Sequence, residues 1–189
     1  MKRQTMVEVL AFLTLVLTCA AVRIALQDLP NFAPVAAVAL FAGYFFRSAA
    51  FAVAVPLTAM AVSDAFIGGY DWRMMLTVYA MLALPVAARG PLRRHLAFTD
   101  KATWKPVFGL LSCSLAASVA FFAVTNFACW AWFSLYEHTW TGLLTCYAQA
   151  LPFFRATLAG DMFFAVVLFG SYGLVTSLVT ASRPALQTE

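Results

Sequence analysis

Charge is the scarcest commodity in this sequence. Only 11% of its 189 residues are Asp, Glu, Lys or Arg, against about a quarter in an ordinary soluble domain. With 63% of residues hydrophobic, a soluble fold would be left with a largely apolar surface, which excludes that class and points to lipid as the solvent. Histidine is almost missing: His95 and His138 are the only two. The four cysteines, Cys19, Cys113, Cys129 and Cys146, include no C-x-x-C pair, so there is no ligand set for zinc. Nor is there a Gly-rich phosphate loop, a nucleophile elbow or a dinucleotide fingerprint. The chain carries no ATPase, and no nucleophile, base and oxyanion set can be assembled for an enzyme.

What is present is a series of apolar runs, each near the length that crosses a bilayer as a helix. They fall at about 7–26, 32–46, 49–62, 74–88, 106–125 and 158–181. The expected fold is an all-α membrane protein, one integral-membrane domain over 1–189 with six transmembrane helices. Runs two, three and four are short and contain Pro34, Pro56 and Pro85; such helices are expected to pack inside a bundle, where neighbours satisfy the freed carbonyls. Residues 126–157 are aromatic and nearly uncharged. They read as an outer loop plus an interfacial or re-entrant helix between helices 5 and 6, a seventh span being the alternative, with Trp130, Trp132, Tyr136 and Trp140 as interface anchors.

Charge placement tests this count independently. Six spans put Lys2, Arg3, Arg47, Arg89, Arg93, Arg94, Lys101, Lys105 and Arg183 on one side, nine of the twelve Lys and Arg. Asp28, Asp64, Asp71, Glu137 and Asp161 fall on the other. The positive-inside rule then places both termini in the cytoplasm of a bacterial inner membrane. The net charge of +4 is a product of topology, with no nucleic-acid partner implied. A cleaved signal peptide competes for the N-terminus, but Glu8 interrupts its start and the apolar run continues past Cys19-Ala20-Ala21. Cys129 and Cys146 share the outer segment, where a disulfide is the alternative to two buried thiols.

Polar groups at the outer helix ends are the candidate site: Asp64, Arg155, Asp161, Asn31, Asp28, Tyr79, Asn126 and Trp130. Hydrogen-bonding groups set among aromatic faces suit an amphipathic organic ligand. Asp64 and Asp161 each abut an apolar run, where an ionisable group is costly and faces the bundle interior with a partner. Arg155 is the candidate cation for either acid, as an ion pair or as a ligand contact. Asp64 has a plainer reading as a helix cap. Asp71 and Arg73 read as solvated loop charges.

Three blocks carry a resemblance: PNFAPVAAVALFAG at 30–43, SDAFIGG at 63–69 and LPFFRATLAGD at 151–161. They resemble the recurring blocks PNFxPVxALALFxG, SDxFIG and LPFFRxTLxGD of a family of small bacterial membrane proteins. That family is similar to the S-components of energy-coupling factor (ECF) vitamin transporters, in particular the solitary BtuM-type cobalamin transporters. The resemblance implies six helices, an outward-facing vitamin pocket with Asp64 and Arg155 among its lining, and no ATPase of its own. It further implies a vitamin-like ligand, with cobalamin or a related corrinoid leading, and ECF transmembrane and ATPase subunits as candidate partners. Small-residue pairs such as Ala39 and Gly43 allow close backbone approach, ordinarily within the bundle itself and alternatively on such a partner. One feature departs from the BtuM type: there is no cysteine between Phe46 and Ser112, so the cobalt-binding thiolate of that type has no counterpart. The expected function is uptake of a vitamin-like molecule; the alternative is a membrane scaffold that docks a partner through its aromatic outer loop.

Overall fold

The computed structural model of the chain describes residues 2–29, 31–95 and 105–181, and every regular element among them is helical. The helices are α1 (Lys2–Ala25), α2 (Val35–Phe45), α3 (Ala49–Ile67), α4 (Trp72–Ala83), α5 (Arg89–His95), α6 (Lys105–Trp132) and α7 (Trp140–Ala181), with a 3-10 segment, Leu84–Ala88, joining α4 to α5. Five stretches are long and apolar enough to cross a membrane: Gln4–Ala25, Ala49–Ile67, Trp72–Arg94, Val107–Trp132 and Trp140–Val179. Their outward faces are apolar, with Leu13 and Leu17 on α1 and Val166, Leu174 and Leu178 on α7 all exposed. That is the surface of a multi-pass membrane protein, whose solvent is hydrocarbon.

Local chemistry sets most boundaries. Ser48 caps α3 by accepting from the Phe51 N–H, and Asp71 caps α4 by accepting from Arg73 N at 2.9 Å and Met74 N at 3.4 Å. Asp71 therefore holds a helix start as well as facing water. Pro85, which has no N–H to give, stands where α4 tightens into the 3-10 segment.

α2 lies at the centre. Ala37, Ala39, Leu40 and Ala42 are fully buried, packed by α3 on one side and α7 on the other, with the 3-10 segment and α5 alongside. At 11 residues it is only about 16 Å long, roughly half the hydrocarbon thickness. Its last carbonyls have no partner within the helix and need donors from elsewhere. Two arginines supply them. Arg93 donates from Nε to the Tyr44 carbonyl at 2.9 Å and from Nη2 to that of Phe46, while Arg89 Nη2 reaches the Arg47 carbonyl at 2.5 Å. Their charge also suits the negative end of the helix dipole.

The structure departs from the sequence reading in the aromatic segment. Residues 126–132 finish α6 and residues 140–157 begin α7, which runs unbroken through Pro152, so there is neither a long outer loop nor a separate interfacial helix. The connection is only 133–139, closed by a hydrogen bond from Trp130 Nε1 to the Glu137 carbonyl at 2.9 Å and by Thr139, whose Oγ1 accepts from Gly142 N at 3.1 Å. Gly142 permits this tight return, because a Cβ there would collide with the Glu137 backbone. The physical reason for the departure is length. At 42 residues α7 spans about 63 Å, so its N-terminal half can be helical and apolar without being a further crossing. Similarly α3 continues past 62 to Ile67, since Ser63 bonds back to the carbonyls of Ala59 and Met60 and Asp64 is paired within the bundle. Lys101 and Arg183, expected with the basic group, lie outside the described residues, as does Pro30.

Candidate functional site

The bundle has two unlike ends. Arg47, Arg89 and Arg93 gather where α2 finishes. At the opposite end, α1 and α3 finish, α2 and α4 begin, and a cavity of about 350 Å³ opens between them, α6 and α7. Its wall is mainly apolar, with Phe32, Met74 and Phe121 prominent, and Arg23, Asn31 and Asp161 supply polar groups. A second cavity of about 210 Å³ adjoins it through Asn31, Met74 and Phe121 and extends to Asn126 and Phe154.

Arg23, near the end of α1, is the organising cation. Its Nη1 donates to Asp64 Oδ1 at 2.5 Å and lies at the same distance from Ser63 Oγ. The other carboxylate oxygen, Oδ2, accepts from the Tyr79 hydroxyl at 2.7 Å. Asp64 thus has both oxygens engaged, and with the Arg23 side chain 19% exposed and that of Asp64 6%, the pair is largely removed from solvent. Tyr70, on the loop between α3 and α4, feels the same cluster: burial and the Asp64 carboxylate push its phenol up to about 12, with Arg23 pulling the other way.

Asp161 is different. It is 5% exposed, lines the cavity, and its hydrogen bond among the described residues is to Ser118 Oγ at 2.6 Å. That hydroxyl also lies 2.9 Å from the Ser114 carbonyl, and its single hydrogen can serve only one of the two. Ser114 Oγ, one turn away, is buried without a hydrogen-bond partner among the described residues. Gly160 lets α7 come this close, since a Cβ there would sit 3.2–3.3 Å from Phe32 and the Ala33 nitrogen.

The expected ion pair therefore needs correcting. Arg23, not Arg155, neutralises Asp64, while Arg155 is exposed on α7 with no hydrogen bond or ion pair among the described residues. Of the other candidates, Asp161 and Asn31 line the main cavity, and Asn31 and Asn126 the smaller one. Asn31 holds a left-handed turn at φ 62°. Tyr79 and Asp64 stand behind Arg23 and outside the lining. Asp28 is exposed on the turn after α1, and Trp130 is occupied in closing the α6–α7 connection. Arg23, Phe32, Met74 and Phe121 went unnamed as candidates in the sequence; for Arg23 the signal was a cation inside an apolar run at the same level as Asp64. Among the described residues no group of three His, Cys, Asp or Glu could hold a metal ion. Cys129 and Cys146 are free thiols with no disulfide between them, and the Cys146 Sγ lies 3.5 Å from the Asn126 carbonyl.

Residues 3–185 match the model of a family of unknown function, DUF6580, and the chain belongs to that family. No curated protein and no solved structure matches it.

Proposed function

We propose that the chain is a six-span protein of the bacterial inner membrane, both termini cytoplasmic, that binds a vitamin-like organic molecule from the outer side for uptake. The observation that carries the reading is the cavity of about 350 Å³, apolar and aromatic with a few convergent polar groups. Its volume lies at the lower end of the range for small-molecule sites, about 300–1,000 Å³. Its position supports the direction. It opens at the end opposite Arg47, Arg89 and Arg93, and the positive-inside rule makes the arginine end cytoplasmic. The count of six includes α2 as a half-length crossing enclosed by its neighbours.

The same volume bears on the ligand. About 350 Å³ suits a molecule of one or two rings better than a corrinoid such as cobalamin. Uptake without an ATPase in the chain draws on a partner, such as ECF transmembrane and ATPase subunits, or on a gradient. The S-component resemblance of the three sequence blocks supports that arrangement.

The test is thermal unfolding of the purified protein in detergent with cobalamin, cobinamide, thiamine, riboflavin, biotin and folate. One of them is expected to stabilise it, by about 2.7 kcal/mol at a hundredfold excess over Kd. No shift with any compound favours the second reading, a scaffold. The observation behind that reading is the tip of the α6–α7 hairpin, where Trp132, Leu135 and Trp140 are exposed.

A further inference from the structure

Ionisable side chains in the cavity wall are few: Arg23, Tyr70 and Asp161. Arg23 is already committed, its guanidinium bonded to Asp64 and Ser63. Counting Asp64 behind the wall, one cation faces two carboxylates, and the one left over is Asp161. Its burial is deep, its hydrogen bond among the described residues is to one shared hydroxyl, and no basic side chain among them pairs with it. A carboxylate at such depth ordinarily has a partner, or faces a cavity that admits one. Phe32, Phe121 and Tyr70 line the same cavity, and aromatic rings attract a cation.

We infer that the cavity selects an organic cation, a small amphipathic molecule with its protonated amine or quaternary nitrogen against Asp161 and its rings among Phe32, Phe121 and Tyr70. The inference rests on the reading of this cavity as the ligand site, and it names the substrate class. An anionic ligand would set a like charge against Asp161, and the one cationic charge in the wall, on Arg23, is already balanced by Asp64. A neutral ligand would leave the carboxylate without its missing partner.

Three probes that share an indole and differ in the head group separate these cases: tryptamine (cationic), tryptophol (neutral) and indole-3-acetate (anionic). Their Kd values are to be measured by calorimetry on the purified full-length protein at pH 7. Tryptamine is expected to bind at least tenfold more tightly than tryptophol, with indole-3-acetate weakest. Asp161→Asn should bring the ratio of the first two close to one. If tryptophol or indole-3-acetate equals tryptamine, the cavity remains a ligand site and the cationic class falls. A folded Asp161→Asn that keeps the tryptamine preference also overturns it. Binding by none of the three, with no stabilisation by any vitamin in the panel, sinks both readings. The wild-type comparison stands whether or not the variant folds.

Discussion

A guanidinium inside an apolar helix is tolerable only where something neutralises it, and Arg23 does this by reaching 41 residues along the chain to Asp64. The pair joins α1 to α3, and the Tyr79 hydroxyl ties α4 to the same carboxylate. Removing one member leaves the other charge buried, at a cost of about 3–5 kcal/mol. Arg23→Met or Asp64→Asn should therefore lower the stability of the ligand-free protein by that amount in denaturant or thermal unfolding, and the double variant should recover part of it. Arg155→Ala, by contrast, should leave the melting temperature where it is, because that side chain is exposed and unpaired among the described residues. A melting temperature that falls with Arg155→Ala and holds with Arg23→Met would reverse the assignment. The acid was legible in the sequence as an ionisable group at an apolar boundary. Its partner showed only as a cation inside an apolar run, because a helix end 41 residues away becomes a neighbour only once α1 lies against α3.

Among the elements, α2 makes the sharpest demand. It has about half the length of a lone span, and its C-terminal end takes donors from Arg93, with Arg89 on the Arg47 carbonyl just beyond. Arg93→Ala should weaken the end of α2 by about 1–2 kcal/mol, two charge-assisted bonds discounted for their partial exposure. Faster hydrogen exchange at the amides of Phe45 and Phe46 would report it. Arg93→Lys should restore little, since a lysine head cannot fork to two carbonyls. Unchanged exchange in Arg93→Ala would remove the capping role. Hydropathy and proline spacing indicated that runs two to four pack inside a bundle. They were silent on the arginines, whose placement topology alone already explained. The aromatic stretch was misread for a related reason. Scattered Trp and Tyr mark interface depth, and a helix that outruns the bilayer carries the same residues as a loop lying upon it.

For the whole molecule, the arginine end and the cavity end make a claim about sidedness. In a background with the native cysteines replaced, a cysteine at Arg94 should resist an impermeant thiol reagent in intact cells, while one at Gly69 or Thr139 should react. All three positions are exposed, so accessibility within the protein does not confound the comparison. Labelling at Arg94 would invert the topology and with it the direction of binding. Helical content and the run of apolar segments were readable at this scale, because composition and period report on solvent directly. The cavity was not, since it forms where six helices drawn from the whole length of the chain converge.

The brevity of α2 also bears on how the protein is made. An 11-residue apolar stretch offers a translocon about half the hydrophobic length of a lone span. Its closing carbonyls find their guanidinium donors only after some forty further residues have been synthesised. On the six-span reading proposed above, α2 would enter the bilayer as half of a hairpin with α3 and gain its arginine donors only when the segment from Trp72 to Arg94 arrives. On that reading, nascent chains that end between Ile67 and Arg89 are expected to hold a second helix whose C-terminal end still lacks its arginine donors.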